Sequence, residues 1–400
     1  MQSTPMPVGA RLFYLLLERI ANRLQVGTLT AYLPNGETIK AVGALSETPV
    51  AEIYVRDYAF ARRVIFGGDI GLYESFELGE WDTPDLTGCL HMLALNADYI
   101  ADVFASSSVI ALLESIRHRF NKNSVSGSKK NISAHYDLGN AFYEKWLDPS
   151  MTYSSALYMR QGESLTTAQE NKYRNLAQSI GLKPDEKVLE IGCGWGGFAE
   201  FAAREVGAHV TGLTISQEQF DFSRRRIFEA GLNEKVDIQL TDYRDSEGKY
   251  DKVASIEMFE AVGKEYWPVY FSKVYNSLNP GGIAGLQVIT IADRMYEHYS
   301  KYVDFIQKYV FPGGFLPSPK VLKEQVETAG LSWRNTTNFG LDYARTLSEW
   351  RDQFVLAWDE IVPLGFDERF NRLWRYYLSY CEAGFKAQST DVYQVAIAKP

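Results

Sequence analysis

Cysteine is scarce in this chain: three residues among 400, and Cys89, Cys193 and Cys381 stand far apart. No disulfide framework can be built from them, and a reducing, cytoplasmic compartment is expected. Histidine is also rare, five residues with none at ligand spacing, so no metal site is expected. Basic residues are outnumbered by acidic ones, 41 against 50, and the net charge of −9 argues against bulk attraction to nucleic acid. Long apolar runs are missing too. Leu12 to Leu17 is far short of the ~20 residues that cross a bilayer, and no basic signal-peptide start precedes it. A soluble protein is expected, at most peripheral at the inner face of the membrane.

A chain of 400 residues is long enough for two domains, each with its own core. Residues 1–116 read as a small α+β domain. An apolar stripe over Arg11 to Leu24 predicts a helix, and Thr28 to Leu33 and Glu37 to Val42 flank the turn pair Asn35-Gly36 as a hairpin that Val50 to Val55 extends. Asp57 to Phe66 and Leu72 to Leu95 read as helices. Nothing here has catalytic spacing, so packing, homodimerisation or lipid presentation is the expected role. Residues 117–131, rich in Ser and Asn with five basic and no acidic residues, read as a flexible linker that could touch anionic headgroups. The second domain, 132–400, opens with helix-forming residues to Trp146.

What the second domain does have is a glycine bend. Val188 to Gly197 reads V-L-E-I-G-C-G-W-G-G, a short strand followed by a tight turn, and Phe198 to Arg204 then reads as a helix. Glycines let the backbone approach a ligand closely, and amides opening a helix supply donors. Gly192-x-Gly194-x-x-Gly197 also satisfies a dinucleotide fingerprint. Two features favour S-adenosylmethionine (SAM) instead. Glu190, just ahead of the bend, would repel a pyrophosphate but suits a sulfonium and ammonium, and the next strand, Ala208 to Ile215, ends in Thr-Ile-Ser without the acid that binds a ribose in dehydrogenases.

Strands are expected at Lys187 to Ile191, His209 to Leu213, Val236 to Leu240, Lys252 to Ile256 and Ile283 to Ile289, with helices between them, one from Ser164 to Ile180. Such alternation predicts an α/β, doubly wound Rossmann-like sheet whose ligands bind beyond the strands' carboxyl ends. Trp333 to Phe339 and Val392 to Ala398 then supply a late antiparallel pair. The fourth strand runs into Glu257-Met258-Phe259-Glu260, and Glu260, among apolar neighbours, is the carboxylate expected to do the work. Tyr296 to Phe315 reads as an aromatic helical stretch able to wall an apolar pocket and stabilise a passing cation.

Across both halves the chain resembles the cyclopropane-fatty-acyl-phospholipid synthases and related mycolic acid and methyl-branched lipid methyltransferases. The resemblance is carried by L-G-E-W-D-T-P-D-L (Leu78 to Leu86), H-Y-D-L-G-N (His135 to Asn140), Y-S-S-A (Tyr153 to Ala156), the glycine bend, G-L-T-I-S-x-E-Q (Gly212 to Gln219), D-Y-R-D (Asp242 to Asp245), M-F-E-A-V-G (Met258 to Gly263), F-P-G-G-x-L-P-S (Phe311 to Ser318) and N-F-G-x-D-Y (Asn338 to Tyr343). It implies a class I SAM methyltransferase that adds a one-carbon unit to a cis double bond in a phospholipid acyl chain. Tyr153 and Ser154 would hold the amino-acid end of SAM, and Gly192, Gly194, Trp195 and Gly196 would follow its length. Thr214, Ile215 and Gln219 would hold the ribose, with Tyr243 and Arg244 beside the adenine. Glu260 and Tyr343 match two members of the family's bicarbonate pocket, and Cys381 matches a cysteine nominated as catalytic.

Three positions depart from the pattern. Ser155 stands where cyclopropane synthases usually have Cys, Gln287 where they have His, and Ala261 where the motif normally reads F-E-H. Gln287 cannot take a proton as His does, which makes the bicarbonate pocket altered or absent. A methyl-branched product is therefore expected ahead of a cyclopropane.

Overall fold

The computed structural model describes residues 8–104 and 138–400. The linker expected at 117–131 and the start of the motif at His135 lie outside the described residues. The chain begins with helix α1 (Val8–Ala21), strands β1 (Val26–Tyr32), β2 (Thr38–Val42) and β3 (Ser46–Val55), and helix α2 (Ala59–Glu77). A short strand β4 (Trp81–Asp82) and helices α3 (Leu86–Leu95) and α4 (Ala97–Phe104) complete this part. The sheet order is β2-β1-β3-β4, with the hairpin pairing Tyr32 to Thr38 and β3 running parallel to β1.

Two expectations change here. The helix from Asp57 does not stop at Phe66 but continues to Glu77 through a kink at Gly68, whose φ of 62° leaves the helical region without breaking the run. Trp81 lies on a strand and not in a helix: the Glu80 carbonyl takes both the Arg56 and Asp57 amides, which pins the segment against β3.

The second part carries α5 (Leu165–Ser179), β5 (Lys187–Ile191), α6 (Gly197–Phe201), β6 (His209–Thr214), α7 (Gln217–Glu229), β7 (Val236–Leu240) and β8 (Tyr250–Ile256). It continues with α8 (Trp267–Ser277), β9 (Leu278–Ile291), α9 (Asp293–Tyr299), α10 (Pro319–Thr328) and β10 (Ser332–Asn338), then α11 (Gly340–Leu356), α12 (Glu368–Lys386) and β11 (Thr390–Ala398). The seven-stranded sheet has the order β10-β11-β9-β8-β5-β6-β7. Strands β9 to β7 are parallel, and β10 and β11 close the sheet antiparallel. The central strands β5 and β8 are buried on both faces over residues 188–191 and 252–255, polar Glu190 and Ser255 included.

The stretch Tyr296 to Phe315 is not one helix. After α9 the chain turns, and the Asp304 carboxylate accepts the Gln307 amide to start a separate short turn over Ile306–Val310. Tyr299, at the end of α9, folds back across it, its hydroxyl accepting from the Gln307 side chain and the Leu316 amide.

One apolar cluster runs from Phe13 and Trp81 through Trp146 to Trp350 and Trp374, so the four-stranded sheet packs into one core with α11, α12 and Val392 of the larger sheet. Helix α12 makes the joint. Arg372 lays its guanidinium over the Phe76 ring at 4.0 Å and donates to the Phe76 carbonyl, and Glu74 of α2 accepts from Tyr309 at 2.6 Å. At its other end Glu382, 1% exposed, accepts from Thr87 of α3, from Lys386 at 2.6 Å and from Arg351 of α11. Removing one side of such a pair strands the other. Glu382→Ala is expected to cost about 3 kcal/mol, the low end for a buried pair because Arg351 keeps some contact with water. Chemical denaturation of the two proteins measures it.

Candidate functional site

Beyond the carboxyl ends of β5, β6, β8 and β9 lies a cavity of about 750 Å³. The strand tips and their loops give it a polar end, and helices α2 to α4, α11 and α12 give it an apolar one, through residues such as Leu72, Leu93, Ile100, Leu347 and Tyr377. The segment in which the sequence shows no catalytic spacing thus supplies part of the chamber wall.

At the polar end the glycine bend passes under Met258. A Cβ on Gly192 would come within 2.5 Å of the Met258 side chain, and the φ of 80° there is one that other residues avoid. The Gly192 and Cys193 amides are held by the Leu213 carbonyl, which ties the bend to β6. Trp195 donates its indole N–H to Asn140 at 2.7 Å. Thr214 donates to the Gln219 side chain at 2.9 Å, bringing two of the expected ribose contacts together, and Ile215 lines the cavity beside them. Asp242 grips the Arg244 guanidinium through bonds of 2.8 and 2.6 Å, and Arg244 lies beside the Tyr243 ring. Burial alone would raise the Asp242 carboxyl, but the bonds from Arg244 hold it below the ordinary range.

Glu190 ends β5 facing this space, 2% exposed, with Oε2 lacking any hydrogen-bond partner. Burial pushes its carboxyl up to about 8, against the pull of Lys172, the Ala199 amide and Arg226. Lys172 of α5 is wholly buried and donates to Ser154 Oγ at 2.6 Å; burial lowers its ammonium to about 7. The sequence reading missed Lys172. The available signal was a lysine between Ala168 and Leu176 on the buried stripe of a helix.

The second constellation is centred on Glu257, at the tip of β8 with a φ of 49°. Its Oε1 accepts from the Ser155 amide at 2.9 Å and from Gln287 Nε2 at 2.7 Å, and its Oε2 accepts from the Tyr343 hydroxyl at 2.6 Å. Ser155, Gln287 and Tyr343, three of the residues singled out in the sequence, therefore meet at a carboxylate that the sequence reading passed over in favour of Glu260. Burial raises the Glu257 carboxyl, opposed by these donors and by Lys172. Glu260 lies alongside. Its Oε1 takes the Ile289 amide and its Oε2 has no partner, while burial and the neighbouring Glu257 charge push it up to about 8. Cys381 lines the cavity, but burial raises its thiol well above the ordinary range and leaves it no thiolate character. Tyr153 hydrogen-bonds Tyr377 at 2.7 Å.

A buried carboxyl with one oxygen unpartnered, a bend that admits no side chain at Gly192, and polar groups spaced along the strand tips fit a cationic nucleoside with an amino-acid tail. Fold and site together define a class I SAM-dependent methyltransferase. Residues 123–395 match the family model described as mycolic acid cyclopropane synthetase. The chain is 37% identical over 386 residues to the tuberculostearic acid methyltransferase UfaA1 of Mycobacterium tuberculosis, covering 94% of this chain and 90% of that one. It is 35% identical over 376 residues to the cyclopropane-fatty-acyl-phospholipid synthase of Escherichia coli K12, covering 89% and 90%. Among solved structures it resembles the mycolic acid cyclopropane synthase CmaA1 complexed with SAH and CTAB, at 28% identity and a TM-score of 0.65, over 68% of this chain and 98% of that one. The chain belongs to the mycolic acid cyclopropane synthetase family.

A carboxyl raised to about 8 is largely protonated at pH 7 and must ionise to pair with a cation. SAM binding is therefore expected to release a proton, seen by calorimetry as a dependence of the binding heat on the buffer's ionisation enthalpy, and Glu190→Gln should abolish that dependence. The same shift favours the folded state below pH ~4.5 and withdraws that contribution as pH rises towards 8, so Glu190→Gln should also flatten the fall in stability across that window.

Proposed function

We propose that this enzyme methylates a cis double bond in the acyl chain of a membrane phospholipid and that Glu257 is the base that ends the reaction, leaving a methyl-branched acyl chain. The observation that carries the reading is the convergence of the Ser155 amide, Gln287 and Tyr343 on the Glu257 carboxylate. In the family pattern these positions belong to a bicarbonate pocket. Here their donors are already bonded to a side chain, so the residues do not fit a bound bicarbonate, and no step is assigned to one.

Bound SAM supplies an electrophilic methyl group, and the alkene's π electrons form the new carbon–carbon bond while the carbon–sulfur pair returns to sulfur. That leaves a cation on the acyl chain. Side chains of the chamber shelter this charge and take up the proton it releases. Tyr299, Phe311 and Phe315 wall the chamber and offer aromatic faces to the charge. Glu257 takes a proton from a carbon next to the cation, and the C–H pair closes a new double bond. Burial makes it a stronger base than a free carboxylate, and three donors keep it ionised and aimed. Glu260, with its carboxyl near 8, serves as the neutral neighbour whose free oxygen faces the chamber. Tyr153, Ser154, Gly194, Gly196 and Trp195 with the Thr214, Ile215 and Gln219 group hold the donor, and Tyr243 and Arg244 flank its base. The apolar end walled by the N-terminal helices takes the acyl tail, which gives residues 1–116 a part in substrate presentation, with dimerisation as a further proposed role. Access to a bilayer substrate is from the cytoplasmic face as a peripheral protein. No helix of the described residues is long and apolar enough to cross a membrane.

The alternative is ring closure, which needs the proton to leave the transferred methyl group. With SAM carrying a CD3 group and vesicles of cis-unsaturated phospholipid, the expected product keeps three deuteriums and shows no cyclopropane protons by NMR. Two deuteriums with ring methine protons would establish the synthase reaction instead; two in a terminal CD2 alkene, seen by deuterium NMR, would place a hydride shift before loss of a deuteron from the methyl group. Glu257→Gln is expected to lose at least about a hundredfold in kcat with SAM affinity unchanged. The loss in Glu260→Gln should be smaller by about tenfold or more. Glu257→Gly suits the local φ, and it should regain turnover on addition of bicarbonate, which the parent enzyme does not need.

A further inference from the structure

Gln287 has no charge, and its use to Glu257 depends on which end of its amide faces the carboxylate. A flipped amide would set a carbonyl oxygen against Glu257 Oε1, and that contact exists only if Glu257 is protonated. The side chain itself has no preference between the two. Its surroundings do.

Gln394 lies directly opposite Gln287 in the β9–β11 pairing, and the two are 2% and 0% exposed. Gln394 Nε2 donates to Gln287 Oε1 at 2.9 Å and to the Lys172 carbonyl at 3.1 Å. Gln394 Oε1 accepts from Asn175 Nδ2 at 2.7 Å, and Asn175 sits on α5 at the edge of solvent. At the inner end Gln287 Nε2 reaches the Ser155 carbonyl at 3.4 Å as well as Glu257. The two backbone carbonyls can only accept, so they fix the direction of the whole chain. Lys172 forces the amino end of Gln394 inward, which occupies the Gln287 oxygen, which turns the Gln287 amino group onto Glu257.

We infer that Gln394 and Asn175 are positioning residues that set the amide polarity of Gln287 and thereby hold Glu257 in its ionised, proton-accepting form. This rests on the reading of Glu257 as the base. Neither residue lines the chamber. Both act through Gln287 alone, and their effect belongs to the proton-removal step and not to donor binding.

The test is Gln394→Glu, which preserves shape and, in its ionised form, accepts but does not donate. Gln287 then gains by turning its amino group to residue 394, and Glu257 faces a carbonyl. The expected result is a loss of about tenfold in kcat at neutral pH, one buried hydrogen bond's worth, with KM for SAM unchanged and the acidic limb of the kcat profile moved up by about one pH unit. Asn175→Asp, at a position that tolerates charge, should move the same limb in the same direction with a loss of about threefold. Gln394→Leu, which imposes no reversed polarity, should leave the limb nearer its parent position than Gln394→Glu does. A parent-like pH profile in both acidic variants would overturn the inference. If Glu257→Gln kept full turnover, the assignment of the base would fall instead, and the two failures are told apart by that one variant.

Discussion

A carboxylate placed in an apolar chamber is held there only if hydrogen-bond donors replace the water it has lost, and the architecture of this enzyme is arranged to supply them to Glu257. The donors come from three places far apart in sequence: the loop before α5, the middle of β9 and the first turn of α11. None can move without disturbing the others. The strand tip that carries Glu257 has a left-handed backbone, so the side chain is presented by a conformation that costs energy and is offset by those bonds. The antiparallel strand β11 then serves the site as well as the fold, because it brings Gln394 opposite Gln287.

Much of the sheet was legible in the sequence. Strand β5 ends where its apolar run ends, β6 follows its run closely, and the edge strand β7 shows the alternation of buried Val236 and Ile238 with exposed Asp237 that a one-sided strand requires. The glycine bend after β5 was legible for a local reason too, as glycines at fixed spacing leave few alternatives. What was not legible is what depends on contacts between distant segments. The two carboxylates of Glu257-Met258-Phe259-Glu260 look equivalent in a linear reading, and the choice between them rests on Tyr343, 86 positions later, which donates to Glu257. The break in the stretch from Tyr296 was hidden because aromatic spacing suits either one helix or two, and the capping by Asp304 and the fold-back of Tyr299 decide it.

The N-terminal part illustrates the limit of reading function from spacing. It contains no catalytic pattern, yet Leu72, Leu90 and Leu93 face the same cavity as Glu257. A wall for an acyl chain needs only apolar side chains on one face of a helix, and that pattern is indistinguishable from ordinary core. Its place in the chamber wall follows from the joint made by α12, where Arg372 and Glu382 hold α2 and α3 against the chamber.

The departures from the family pattern at Ser155 and Gln287 are better understood together than singly. A pocket for a small anion needs donors around an empty centre; a side-chain carboxylate needs the same donors around itself. Ser155 contributes through its backbone amide, which any residue there provides, and its hydroxyl is donated to the Ala156 carbonyl. Gln287 contributes a neutral N–H that has no proton of its own to lose, so the acid–base capacity of the cluster is concentrated in Glu257 and not shared with an imidazole. A tethered base has one fixed reach, whereas a diffusible anion can settle wherever the donors and substrate leave room. If Glu257 is the base, as proposed, whichever proton lies along that reach is the one removed, and the product follows from the length and anchoring of that side chain.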